Sequence, residues 1–213
     1  IMVNGQDMGY IHMRQVPHRE STGPGVLVSE TTWLFQPDGS FRHIRTRSFV
    51  RQDLKYDKWE TFSRIYVAPA DGAPPRAYVL ADAGVRQRDR LVLTYTPHSG
   101  EPEPRSKVLQ VPRHYLPPAL LPLLPKLIDL NRAALYAFAA YDPARHRLVP
   151  RTFELVGPER ISIAGETIEA VRIIDRVGIS PYYSVLYTDR TGRVIRTVSG
   201  DVEAVACSRQ QIE

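Results

Sequence analysis

Apolar and polar residues alternate with a period of two over most of this chain. Such alternation sets one side of an extended strand against a core and the other in water. Two segments show it most fully. Thr31–Thr46 is a β-rich run, a turn carrying Asp38 and Gly39, and a second run; Ser184–Thr197 repeats the arrangement around Asp189 and Gly192. Asp and Gly supply the side-chain hydrogen bonds and the positive φ of a tight turn, so each segment predicts a β-hairpin. That turn chemistry alone makes the two segments look alike, without an internal duplication.

The same alternation predicts strands at 8–16, 58–68, 76–81, 90–96, 107–111, 135–141, 151–156, 160–163, 167–177 and 202–208. Turn signals separate them: Pro17 to Gly25, Pro69 to Pro75, Ala83-Gly84, Arg86 to Asp89, Asp142-Pro143, Gly157-Pro158 and Ala164-Gly165. Pro97–Pro104 reads as an irregular loop able to open. The pattern breaks once, at Tyr115–Asn131, which is rich in Leu and carries Pro117, Pro118, Pro122 and Pro125. Interior prolines each cost a helix roughly 3 kcal/mol, so two short helical pieces are expected, the second starting near Pro125. Its leucines are too many for a solvated face, so the segment should lie on the sheet or plug it. The fold class expected is mainly β: a long curved antiparallel sheet, half-barrel-like, with a short helical insert at about 117–131, in one domain spanning residues 1–213.

Composition narrows the partners. The 213 residues are 43% hydrophobic, enough for a core, and the 18 prolines and 13 glycines suit many short elements. The net charge of +5 comes mostly from arginines interspersed with acids, with no basic tail or run, so no nucleic-acid partner is expected. Cys207 is the one cysteine, which excludes an internal disulfide. No segment approaches the roughly 20 apolar residues of a membrane-spanning helix. Ile1–Asp7 has no signal-peptide character, so the chain reads as a mature form, with export left open.

Candidate chemistry is sparse. No two of the six histidines lie within four residues of each other, so no local metal pair exists. His12 and His43 can meet across a sheet with Glu30 or Glu60, though ordinary half-buried histidines explain them as well. There is no Gly-x-Ser-x-Gly elbow and no phosphate loop, and Cys207 lacks a local base. Asp53, Asp57 and Glu60 read as a solvated connection. No catalytic residue, cofactor or metal is therefore expected, and the chain is read as not being an enzyme; a hydrolase with acid and base from distant strands is the rival. Arg45, Arg47 and Arg51 share one parity, as do Arg86, Arg88 and Arg90. Each trio reads first as a water-facing side and second as an anion-binding stripe.

The aromatics Trp33, Phe35, Tyr136 and Phe138 fall in expected strands. With Leu120, Leu124 and Leu127 of the insert they would line an apolar concavity holding a lipophilic small molecule or lipid, with Arg45 or Arg47 meeting a headgroup at its rim. Asn4–His12, with Gly5, Gly9 and Tyr10, and the stretches Glu154–Ile173 and Tyr187–Arg196 resemble the strand pattern of LolA/LolB-like lipoprotein-carrier folds and related periplasmic domains of the bacterial envelope. The resemblance covers most of the chain in outline. It implies a bent sheet closed by short helices over a lipophilic cavity, and a periplasmic or cell-envelope location. The lipobox cysteine of the lipoprotein members is missing near the start, and no functional residue carries over. An interaction or scaffolding module with an envelope protein partner is the alternative.

Overall fold

The structure, a computed structural model, describes residues 1–3, 6–69, 74, 76–96, 103–179 and 181–207. Among the described residues it is mainly β, with fifteen strands in two antiparallel sheets that do not close into one barrel. The first sheet is a meander in sequence order: β3 (Gly9–Glu20), β4 (Gly23–Phe35), β5 (Phe41–Arg51), β6 (Tyr56–Val67), β7 (Arg76–Gln87), β8 (Arg90–Tyr95) and β9 (Arg105–Gln110). The second runs β10 (Ala134–Asp142), β11 (Arg147–Ile163), β12 (Glu166–Val177), β13 (Tyr183–Thr188), β14 (Val194–Ser199) and β15 (Val202–Val205), then takes in β1 (Met2–Val3) and β2 (Gln6–Asp7). The chain passes from one sheet to the other at Met8, whose carbonyl accepts the Phe35 N–H at 2.7 Å. On the far side the 114–116 segment runs beside β10, with Leu116 N–H on the Ala139 carbonyl at 2.9 Å and Ala139 N–H on His114 at 3.0 Å.

Both hairpins form as the turn chemistry requires. Asp38 Oδ1 accepts the Ser40 N–H at 2.8 Å, and Asp189 Oδ1 accepts those of Thr191 and Arg193 at 2.8 and 3.0 Å. Three expected breaks are not breaks. The connection after Val16 is strand to Glu20, leaving a turn at Ser21-Thr22. Gly84 lies inside the continuous strand β7, where an added Cβ would sit 2.6 Å from the Trp59 indole; it marks a close approach of a ring. Gly157-Pro158 is a bulge in the 17-residue strand β11. The Pro97–Pro104 loop lies largely outside the described residues.

The insert is a 3-10 turn, Pro118–Leu123, followed by the one-turn helix α1, Leu124–Leu127. Pro118 and Pro125 stand in first turns, where a missing N–H costs little, and Pro122 limits the first piece to 3-10 geometry. The insert joins the sheets from within. Ala119 and Leu123 pack on Val28 and Val50 of the first sheet, and Leu124 packs with Phe153, Leu155, Val171 and Ile173 of the second. Each buried Leu contributes about 1.5–3 kcal/mol. A third cluster, Trp59, Leu91, Leu93, Val111 and Tyr141, fastens the seam between the sheets.

The sequence misplaces one ion pair. Asp57 and Arg86, read there as solvated, are 1% and 7% exposed and bonded to each other. Arg86 also donates to the Leu54 and Arg88 carbonyls and lies over the Tyr115 ring at 5.2 Å, while the Tyr115 hydroxyl donates to Asp57 at 3.3 Å. Burial pushes the Asp57 carboxyl above its ordinary value, with Arg86 and Tyr115 opposing. Burial, then Asp57, pushes the Tyr115 hydroxyl up.

Candidate functional site

Register assigns the two faces of the first sheet, because directly paired residues share a face. One face carries Val28, Val50, Trp59 and Leu93, and holds the insert. The opposite, open face is built of transverse rows. Phe35, Phe41, Tyr66 and Ala77 form one; Tyr10, Trp33, His43, Arg64 and Val79 the next; then His12, Thr31, Arg45, Phe62 and Ala81; then Arg14, Ser29, Arg47, Glu60 and Ala83; then Val16, Leu27, Phe49, Lys58 and Val85. Apolar, cationic and apolar bands follow one another along the strands.

The aromatic band is stacked. The Trp33 and His43 rings lie 3.9 Å apart and nearly parallel, Trp33 and Phe35 lie 6.1 Å apart, and Phe41 and Tyr66 lie 5.1 Å apart. Beside it is a cleft of about 390 Å³ lined by His43, Arg45, Arg47, Glu60, Phe62, Arg64 and Val79. Phe62 and Val79 are 48% and 53% exposed, an unusual apolar floor beneath three guanidiniums. Arg47 reaches Glu60 at 3.9 Å, whereas the Arg45 and Arg64 guanidiniums have no ion-pair partner among the described residues. Desolvation, then Arg45 and Arg64, hold the His43 imidazole below the ordinary histidine value. A second cleft of about 230 Å³ shares Arg47 and Glu60 with the first and continues over Leu27, Phe49, Trp59, Ala83 and Val85. It is bounded by Glu20 and Lys58, paired at 2.9 Å.

The residues expected to line one concavity divide into two groups. Trp33, Phe35, Arg45 and Arg47 come together on the open face. Leu120, Leu124, Tyr136 and Phe138 sit on the other side of the molecule's first sheet: Leu120 against Val28 and Val50, and the other three in the cluster around Phe153 and Ile173. Leu127 is 60% exposed and belongs to neither group. The insert thus packs where a cavity was expected. His43, Phe62, Arg64 and Val79 were not singled out from the sequence as cleft residues, although their parity with Arg45 follows once the β5–β6 and β6–β7 registers are known.

His12 and His43 share the open face but stand in different rows on non-adjacent strands, and Glu30 lies on the insert side. Burial pushes the Glu30 carboxyl up, partly offset by the Thr32 hydroxyl. Among the described residues no group of three or more His, Cys, Asp or Glu side chains can hold a metal, and no helix is long and apolar enough to cross a membrane.

The two bent meanders around an apolar insert define a β-barrel-like domain. The chain is similar to a solved structure described as a beta-barrel-like protein of domain of unknown function DUF1849 from Brucella abortus, with 14% sequence identity and a TM-score of 0.52, over 92% of this chain and 85% of that one. At this identity the likeness shows the fold. No protein-family model matches the sequence, and neither does any curated protein.

Proposed function

We propose that this is a non-catalytic binding domain of the bacterial periplasm or envelope, which holds a lipophilic ligand with an acidic head on the open face of the first sheet. The observation that carries the reading is the cleft over Phe62 and Val79, where two guanidiniums with no ion-pair partner among the described residues, Arg45 and Arg64, stand beside exposed apolar side chains. Its volume falls in the range of small-molecule sites. Trp33 and Phe35 extend the apolar surface on one side, and Leu27 and Val85 extend it on the other, over the buried Phe49. The resemblance of the strand pattern to lipoprotein-carrier folds supports the envelope setting.

The test is titration with a fluorescent fatty acid, together with native mass spectrometry of protein purified from cells. Saturable binding is expected. Each charge-assisted hydrogen bond is worth about 1.5–3 kcal/mol, so changing Arg45 and Arg64 together to Gln should weaken binding by more than tenfold. Absence of any bound lipid and of fatty-acid binding would overturn the reading.

A further inference from the structure

We propose that the head group taken by this face is a phosphate monoester rather than a carboxylate, with its alkyl chain lying in the groove formed by the two adjoining clefts. The inference rests on the reading of the open face as the ligand-binding face, and it follows from the charges there. Glu60 is the one acid among the cleft's described lining residues, and Arg47 faces it at 3.9 Å. Arg45 and Arg64 remain, set diagonally on neighbouring strands with His43 beside both.

A carboxylate is a monoanion that a single guanidinium fork satisfies. It would leave the second arginine held against a like charge. A phosphate monoester carries about −1.5 to −2 at pH 7 and has three acceptor oxygens, which two guanidinium forks can share. His43 does not add a third full charge at neutral pH, because desolvation and its two arginine neighbours favour the neutral ring. Stacked flat on Trp33, it can present a ring nitrogen to the same head.

The tail has a route. Arg47 and Glu60 line both clefts, so the head site opens directly onto Leu27, Ala83 and Val85. Their long contact leaves an alkyl chain to pass between the clefts without breaking a strong ion pair. The Glu20–Lys58 pair marks the far end.

Calorimetric titration of the whole protein at pH 8 with dodecyl phosphate, dodecanoate and inorganic phosphate, the amphiphiles below their micelle concentrations, tests this. Dodecyl phosphate should bind at least tenfold more tightly than dodecanoate, and inorganic phosphate far more weakly than dodecyl phosphate. Arg64→Gln should remove the preference while dodecanoate still binds. Equal affinity for the two amphiphiles would overturn the phosphate assignment and leave the lipophilic-ligand reading standing. Inorganic phosphate binding as well as dodecyl phosphate would overturn the tail groove and make free phosphate the ligand. Failure of both amphiphiles to bind would overturn the reading of the face itself.

Discussion

Arg86→Met is expected to destabilise the protein by about 3–5 kcal/mol, because it leaves the Asp57 carboxylate buried without its countercharge. The loss also reaches the seam between the sheets, since Tyr115 hangs on the same carboxylate and its segment runs beside β10. The double change Asp57→Leu with Arg86→Met should recover most of that stability, because removing both charges removes the desolvation penalty along with the attraction. Urea unfolding of the single and double variants measures both numbers. A single-variant cost of about 0.5 kcal/mol, the scale of an ordinary surface substitution, would contradict the buried-pair account.

Leu124→Ala should cost about 2–5 kcal/mol, because Leu124 is 7% exposed in the cluster with Phe153, Leu155 and Ile173. The folded variant should bind ligand as the parent does, since the insert and the cleft lie on opposite faces of the first sheet. Unfolding and fatty-acid titration of this one variant separate the two roles. A stable variant that no longer binds would show that the insert lines the site.

Most of the architecture was legible because it depends on local chemistry. Period-two alternation marks strands wherever one side is buried, and Asp-Gly turns fix the hairpins at Asp38-Gly39 and Asp189–Gly192. The prolines of the insert foretold its division into two short pieces. Errors arose where a local signal has a non-local cause. Gly84 looked like a turn because the Trp59 ring above it is 25 residues away in sequence. Arg86 looked solvated because its partner Asp57 lies on another strand. The site failed for the same reason. Trp33 and Leu124 are both large and apolar, and only sheet register and the packing of the insert reveal that they face opposite sides. Arg45 and Arg47 were correctly placed on one face with each other by parity, but Arg64, Phe62 and Val79 join them only through pairing.

The central claim is that ligand sits on the open face, beside the partly exposed Trp33, and not in the interior beside the buried Trp59. The two tryptophans lie on opposite faces of the same sheet, which makes them separate reporters. The direct measurement is quenching of tryptophan emission by 2-bromododecanoate, whose bromine sits next to the head group and acts only at short range, so that it reports on the His43 and Arg45 end of the face, where Trp33 stacks, and not on the tail groove, which Trp59 also lines. The account predicts strong quenching in the parent protein and almost none in Trp33→Phe, although the fatty acid still binds. Quenching that persists in Trp33→Phe, and so comes from Trp59, would place the ligand inside the molecule and contradict the account.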